Sequence, residues 1–136
     1  MAIRFINTYI VGVRNTKFYL KNGEIISLLQ NQAEFTPEMT KSIACGADGY
    51  PLPSYTVKVE TTTVVTADYN PYQKYGDSNT RWALFTPTQA SFSTSGSVTI
   101  YCTPSQSGAA GSPISITLKV SCMLTSFPLT LRPILL

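Results

Sequence analysis

The chain has 136 residues, enough for one domain with length to spare at its ends, and a chain of this size buries a real core without needing many staples. Charged residues make up only 12% against 43% hydrophobic, so the surface relies on Thr, Ser, Asn, Gln and Tyr, and the net charge of +3 comes from scattered Lys and Arg. Such scatter excludes an electrostatic footprint for nucleic acid, and no apolar run reaches the roughly 18 residues that a membrane-spanning helix needs.

Residues 1–29 hold short β-prone runs at 3–13 and 17–20, followed by the turn signal Asn22-Gly23 and the apolar pair Ile25-Ile26. Residues 1–30 are therefore expected to form an N-terminal β-hairpin or extension. Residues 30–39 are polar and interrupted by Pro37, which suits an edge strand or a linker. From Lys41 the alternation becomes regular, with Ile43 and Cys45 pointing one way and Ser42, Ala44 and Gly46 the other. A turn set by Gly49, Pro51 and Pro53 leads to a second strand, whose inward residues are Tyr55, Val57 and Val59. The β-branched run at 61–66 either continues that strand or returns beside it.

Residues 68–79 read as a long loop rich in Asp, Asn, Gly and Tyr. A strand follows at 81–85 with Trp82 and Leu84 on one face, then a strand remnant near Phe92 and a turn at 93–96. Val98, Ile100 and Cys102 alternate with Ser97, Thr99 and Tyr101; after a small-residue loop at 103–113, Ile114, Ile116, Leu118 and Val120 alternate with Ser115, Thr117 and Lys119. No segment sustains a helical period, and the spacing of strands and turns is that of an antiparallel all-β domain. The apolar tail, residues 121–136, carries Pro128 and Pro133 and no charged face.

Catalytic chemistry is poorly supplied. There is no histidine, which removes the usual general base and the usual nucleophilic triads. The seven acidic residues are spread along the chain without a spacing that pairs carboxylates on one strand face. Cys45, Cys102 and Cys122 lack the close pairs of a zinc site, and Asp68 with Asp77 is too small a set to specify calcium. No metal or cofactor is expected. The richest stretch is the loop, where Tyr69, Tyr72, Lys74 and Tyr75 have the composition of a partner-binding surface, because tyrosine offers a large, rigid contact and a hydroxyl at low entropic cost. The plainer alternative folds one or two of these rings back over the sandwich edge.

Read together, Cys45 through Val57, with Gly49-Tyr50-Pro51-Leu52-Pro53 at its centre, resembles the B strand, B–C turn and C strand of an immunoglobulin-superfamily domain of the intermediate or C2 kind. Residues 97–102 and 103–120 look like the F strand, F–G loop and G strand, and the two cysteines stand roughly 55 to 60 residues apart, as in that family. The resemblance implies an antiparallel Greek-key β-sandwich, immunoglobulin-like, over residues 31–120, stapled by a Cys45–Cys102 disulfide that leaves Cys122 over. The family's core tryptophan is replaced by Val57, and its tyrosine before the second cysteine by Ile100. Trp82 is the residue expected to make up the first loss by inserting against the cysteine pair.

A disulfide implies an oxidising compartment, yet residues 1–13 are broken by Arg4, Asn7 and Thr8 and do not read as a secretory signal. Either the chain is a piece of a longer protein or its thiols stay reduced. The resemblance implies a non-enzymatic domain for protein–protein recognition or cell adhesion, extracellular or at a cell surface, in a larger receptor or adhesion protein. It would bind a protein partner or itself, without nucleic acid, small-molecule substrate or cofactor. A second reading, from the low charge, abundant Thr and Ser and apolar ends, is a viral or phage structural subunit, capsid or decoration, in a virion. A third is an intracellular sarcomere-type domain with free thiols.

Overall fold

The alternating apolar and polar runs at 54–59, 97–106 and 114–119 form strands with one buried face. The computed structural model describes residues 10–26, 28–87 and 96–119. In chain order the strands are β1 (Val11–Leu20), β2 (Gln32–Glu34), β3 (Ile43–Tyr50), β4 (Ser54–Val59), β5 (Thr62–Thr63), β6 (Ala67–Tyr69), β7 (Trp82–Phe85), β8 (Ser97–Gln106), β9 (Ala109–Ala110) and β10 (Ile114–Lys119). Short 3-10 turns occupy Pro37–Thr40 and Gln73–Tyr75.

One sheet has the order β1-β3-β7-β6 and the other β2-β10-β8-β4-β5, with β9 beside β8. The pairings are antiparallel apart from β2, which runs parallel to β10. The chain changes sheet on entering and on leaving β2, and again between β3 and β4, between β5 and β6, and between β7 and β8, which makes the Greek-key β-sandwich that the resemblance implies. Phe18, Ile43, Cys45, Ala83 and Phe85 face inward from one sheet; Val57, Val59, Val98, Ile100, Cys102, Ile116 and Leu118 meet them from the other. Burial of each large side chain stabilises the domain by roughly 1.5–3 kcal/mol.

Three local readings change. Residues 11–20 are not a hairpin apart from the sandwich: β1 pairs with β3 from Val11–Tyr50 to Leu20–Ile43 and places Phe18 opposite Cys45. The Asn22-Gly23 turn yields only the isolated Tyr19–Ile25 bridge. A two-stranded hairpin cannot hide an apolar face by itself, whereas β3 covers it. The small-residue loop also starts later than expected, because β8 runs on to Gln106 and turns through Ser107 and Gly108, both at positive φ, into β9. Two successive positive φ values are the mark of a tight hairpin turn.

Trp82 is buried, but it does not reach the cysteine pair. Ala83, its neighbour in sequence, is the β7 residue opposite Cys45, and Val57 is opposite Cys102. Strand alternation therefore sends the indole to the outer side of the sheet. The strand remnant near Phe92, Cys122 and the tail of residues 121–136 lie outside the described residues.

Candidate recognition surface

The outer face of the β1-β3-β7-β6 sheet is built around small residues on its central strand. Ala44 and Gly46 alternate with the core residues of β3, and Trp82 on β7 is in register with Gly46. The indole lies across Gly46, filling the volume that a side chain there would occupy. From the other side, Tyr19 on β1 stacks on the indole with centroids 3.8 Å apart and planes 11° from parallel. Tyr72 closes the group from the loop, edge-on to Trp82 at 5.8 Å. These contacts leave Trp82 only 5% exposed, a second apolar cluster outside the main core.

That cluster fixes the tyrosine loop. Tyr69 ends β6 and donates its hydroxyl to the Lys21 carbonyl at 2.7 Å. The Asn70 amide group donates to the carbonyl and to the carboxylate of Asp77, while its oxygen accepts the Tyr72 backbone N–H at 2.9 Å. The Asp77 carboxyl is held below its ordinary value, chiefly by the Thr80 hydroxyl and further by Asn70 and the Asn79 backbone. Gly76, at φ 87, closes the 3-10 turn in the left-handed region that favours glycine. Lys74 and Tyr75 then project from this braced loop. The Lys74 ammonium sits 5.2 Å from the centre of the Tyr75 ring, and Tyr75 is 76% exposed.

The four candidate contact residues thus part into two pairs. Tyr69 and Tyr72 tie the loop to the sheet, whereas Lys74 and Tyr75 face outward. Composition alone flagged all four alike. Tyr19 was missed, and its signal was indirect: the small side chains of Ala44 and Gly46 leave room for large rings from the neighbouring strands.

Beneath the loop, Tyr55 on β4 bridges the two sheets. Its hydroxyl accepts the Ala47 N–H at 2.8 Å and donates to the Arg81 carbonyl at 2.9 Å. Burial, the largest influence, pushes its phenol up to about 12. At the same end Gln106 donates to the carbonyls of Val11 and Pro51, which joins β1 and the β3–β4 turn to the β8 hairpin.

A disulfide joins Cys45 on β3 to Cys102 on β8, with both residues fully buried and their Cα atoms 6.6 Å apart. It crosses between β3 and β8, inner strands of the two sheets of the Greek-key sandwich that the resemblance implies. The fold is an immunoglobulin-like β-sandwich.

No protein-family model and no curated protein matches the chain. Among solved structures it is similar to the tandem Ig repeats of Dlar, at 18% identity and a TM-score of 0.34. That similarity covers 59% of this chain and 38% of the other.

Within the immunoglobulin-like domain, the described residues hold no group of three or more His, Cys, Asp or Glu positioned for a metal ion, and no helix long and apolar enough to cross a membrane. Asp68 and Asp77 do line one recess with Asn70, where Asp77 accepts from loop donors and Asp68 lies 4.0 Å from Arg81. A separate groove of about 570 Å³ between β1 and the start of β10 is lined by Phe18, Ile25, Ile26, Leu28 and Ile114. Lys17 and Asn31 stand among these apolar residues in its wall.

Proposed function

We propose that this immunoglobulin-like domain is a non-enzymatic recognition module that binds another protein, as one unit of a longer receptor or adhesion protein outside the reducing cytosol. The observation that carries the reading is the braced loop. Its anchors at Tyr69, Asn70, Tyr72 and Gly76 hold Lys74 and Tyr75 in place before any partner arrives. Ordering a contact loop in advance removes part of the entropic cost of association, and a rigid, exposed tyrosine beside a cation is a favoured anchor. A disulfide between two fully buried cysteines supports an oxidising compartment.

The test pairs binding with folding. Fluorescent tetramers of the domain are applied to intact cells, and a concentration series in sedimentation follows self-association. Tyr75→Ala and Lys74→Ala should each lower the binding seen in either assay about tenfold while leaving the unfolding midpoint unchanged. Binding that survives both substitutions would remove this loop from the interface. Assembly into closed shells or rings would instead favour the virion subunit.

A further inference from the structure

The braced loop also walls off a polar recess of about 300 Å³ against the sheet. Tyr19, Tyr72 and Trp82 line it together with Asp48, Asn79 and Thr80. The two faces of the indole are covered by Gly46 and Tyr19, so it shows the recess only its edge, but two tyrosine rings and one carboxylate in a single small space make an environment that favours positive charge. Asp48 accepts a hydrogen bond from the Asn15 side chain at 2.9 Å through one oxygen, and a carboxylate has capacity for several more donors. Its charge is felt inside the recess: the Tyr19 phenol is pushed above its ordinary value first by burial, then by Asp48 and by Tyr72. Arg14, the partner of Asp48 in the β1–β3 register, is exposed and is not part of the recess wall among the described residues.

We propose that this recess receives the guanidinium group of an arginine side chain presented by a partner protein, with Asp48 accepting its N–H donors and the Tyr19 and Tyr72 rings flanking it. Guanidinium is planar and weakly hydrated, so it lies against aromatic rings and gives up water more readily than a lysine ammonium does. Its fork of N–H groups matches a carboxylate. The sides of the recess formed by Asn79 and Thr80 supply further oxygen acceptors. The inference deepens the recognition reading by naming the partner group. For its biological role it rests on that reading, but the chemistry can be tested without a partner.

Trp82 is the chain's one tryptophan, so tryptophan emission, excited where tyrosine does not absorb, reports on this place alone. The intact domain is titrated with N-acetyl-arginine N-methylamide, and in parallel with the citrulline counterpart, which has nearly the same shape and no charge. The arginine compound should change Trp82 emission saturably, with half-saturation on the order of 1 mM. The citrulline compound should not, and Asp48→Asn should weaken the arginine response about tenfold. Because Asp48 is exposed and asparagine can still accept from Asn15, the variant should unfold at the wild-type midpoint. An equal response to both compounds, a response that never saturates, or an undiminished response in Asp48→Asn overturns the proposal. Loss of partner binding in Tyr75→Ala alongside such a failure would leave the recognition reading in place and remove only the arginine site.

Discussion

Gly46 and Trp82 face each other across the β3–β7 pair on the outer side of the sheet, and the indole takes the space that a Cβ at position 46 would need. The contact is with the ring itself, which is held on its other side by Tyr19. A methyl group there has no free direction in which to push the indole.

Gly46→Ala should therefore destabilise the domain by about 1–3 kcal/mol, the usual range for overpacking a filled site. Trp82 emission should shift to the red as the ring is lifted towards water. Urea unfolding followed by fluorescence measures both effects, and a variant as stable as the wild type with unchanged emission would contradict the stacking described here. Since Gly46 does not need the left-handed region, the effect would report on sterics and not on backbone strain.

Which features were readable in the sequence depended on how local they were. The alternation around Cys45 and Cys102 records burial residue by residue, so it located β3, β8 and the inward faces. Strand pairing is not recorded in that way: β1 looks like half of a hairpin because Asn22-Gly23 follows it, and only the inward-facing Phe18 hints at β3 as its partner. Trp82 misled for a related reason. Apolar size suggested the main core, but its strand neighbour Ala83 holds the inward parity, and the outer cluster depends on side chains from β1, β7 and a loop that share no local pattern. The same non-local packing divides the loop tyrosines into anchors and exposed residues.

The Cys45–Cys102 bridge closes a long loop, with a sequence separation of 57. In the loop-closure account such a bridge stabilises by about 4 kcal/mol at 25 °C, through restriction of the unfolded chain. Both cysteines are fully buried, so thiol reagents should find neither while the domain is folded, with or without mild reductant. Unfolding in the presence of a strong reductant should show a markedly lower urea midpoint than unfolding without it. Identical midpoints, with the bridge intact by peptide mass in one sample and open in the other, would count against its stabilising role.

Tyr55 predicts how the domain responds to alkali. Its phenol is raised to about 12 in the folded state against 10.0 ordinarily, so the folded protein holds this proton more tightly than the unfolded chain does. The corresponding stability is fully present below about pH 10 and is lost as pH rises towards 12. Because the ring is partly exposed, the loss is on the order of 1–2 kcal/mol and not the full equivalent of the shift. Tyr55→Phe should reduce this alkaline decline. It should also cost about 1–3 kcal/mol at neutral pH, since the Ala47 N–H and the Arg81 carbonyl lose their partner. Unfolding midpoints of wild type and variant between pH 8 and about pH 11.5 separate the two effects; parallel curves would place the alkaline loss on other groups.

Tyr72 and Tyr75 stand three residues apart in one loop, and the structure gives them opposite roles. Tyr72 is 41% exposed yet packs edge-on against Trp82, a pairing worth roughly 0.5–1.5 kcal/mol beyond the area it covers. Tyr72→Ala should lower stability by about 1–2 kcal/mol and open Trp82 to a neutral quencher such as acrylamide. Tyr75→Ala should change stability by less than about 0.5 kcal/mol and leave quenching as it is, because its ring is 76% exposed beside the Lys74 ammonium. The comparison bears directly on function. Were Tyr75→Ala to expose Trp82 as strongly as Tyr72→Ala does, Tyr75 would be another brace of the loop, and any accompanying loss of partner binding would report loop disorder. Quenching confined to Tyr72→Ala, with partner binding lost in Tyr75→Ala, would assign the brace and the contact to different residues.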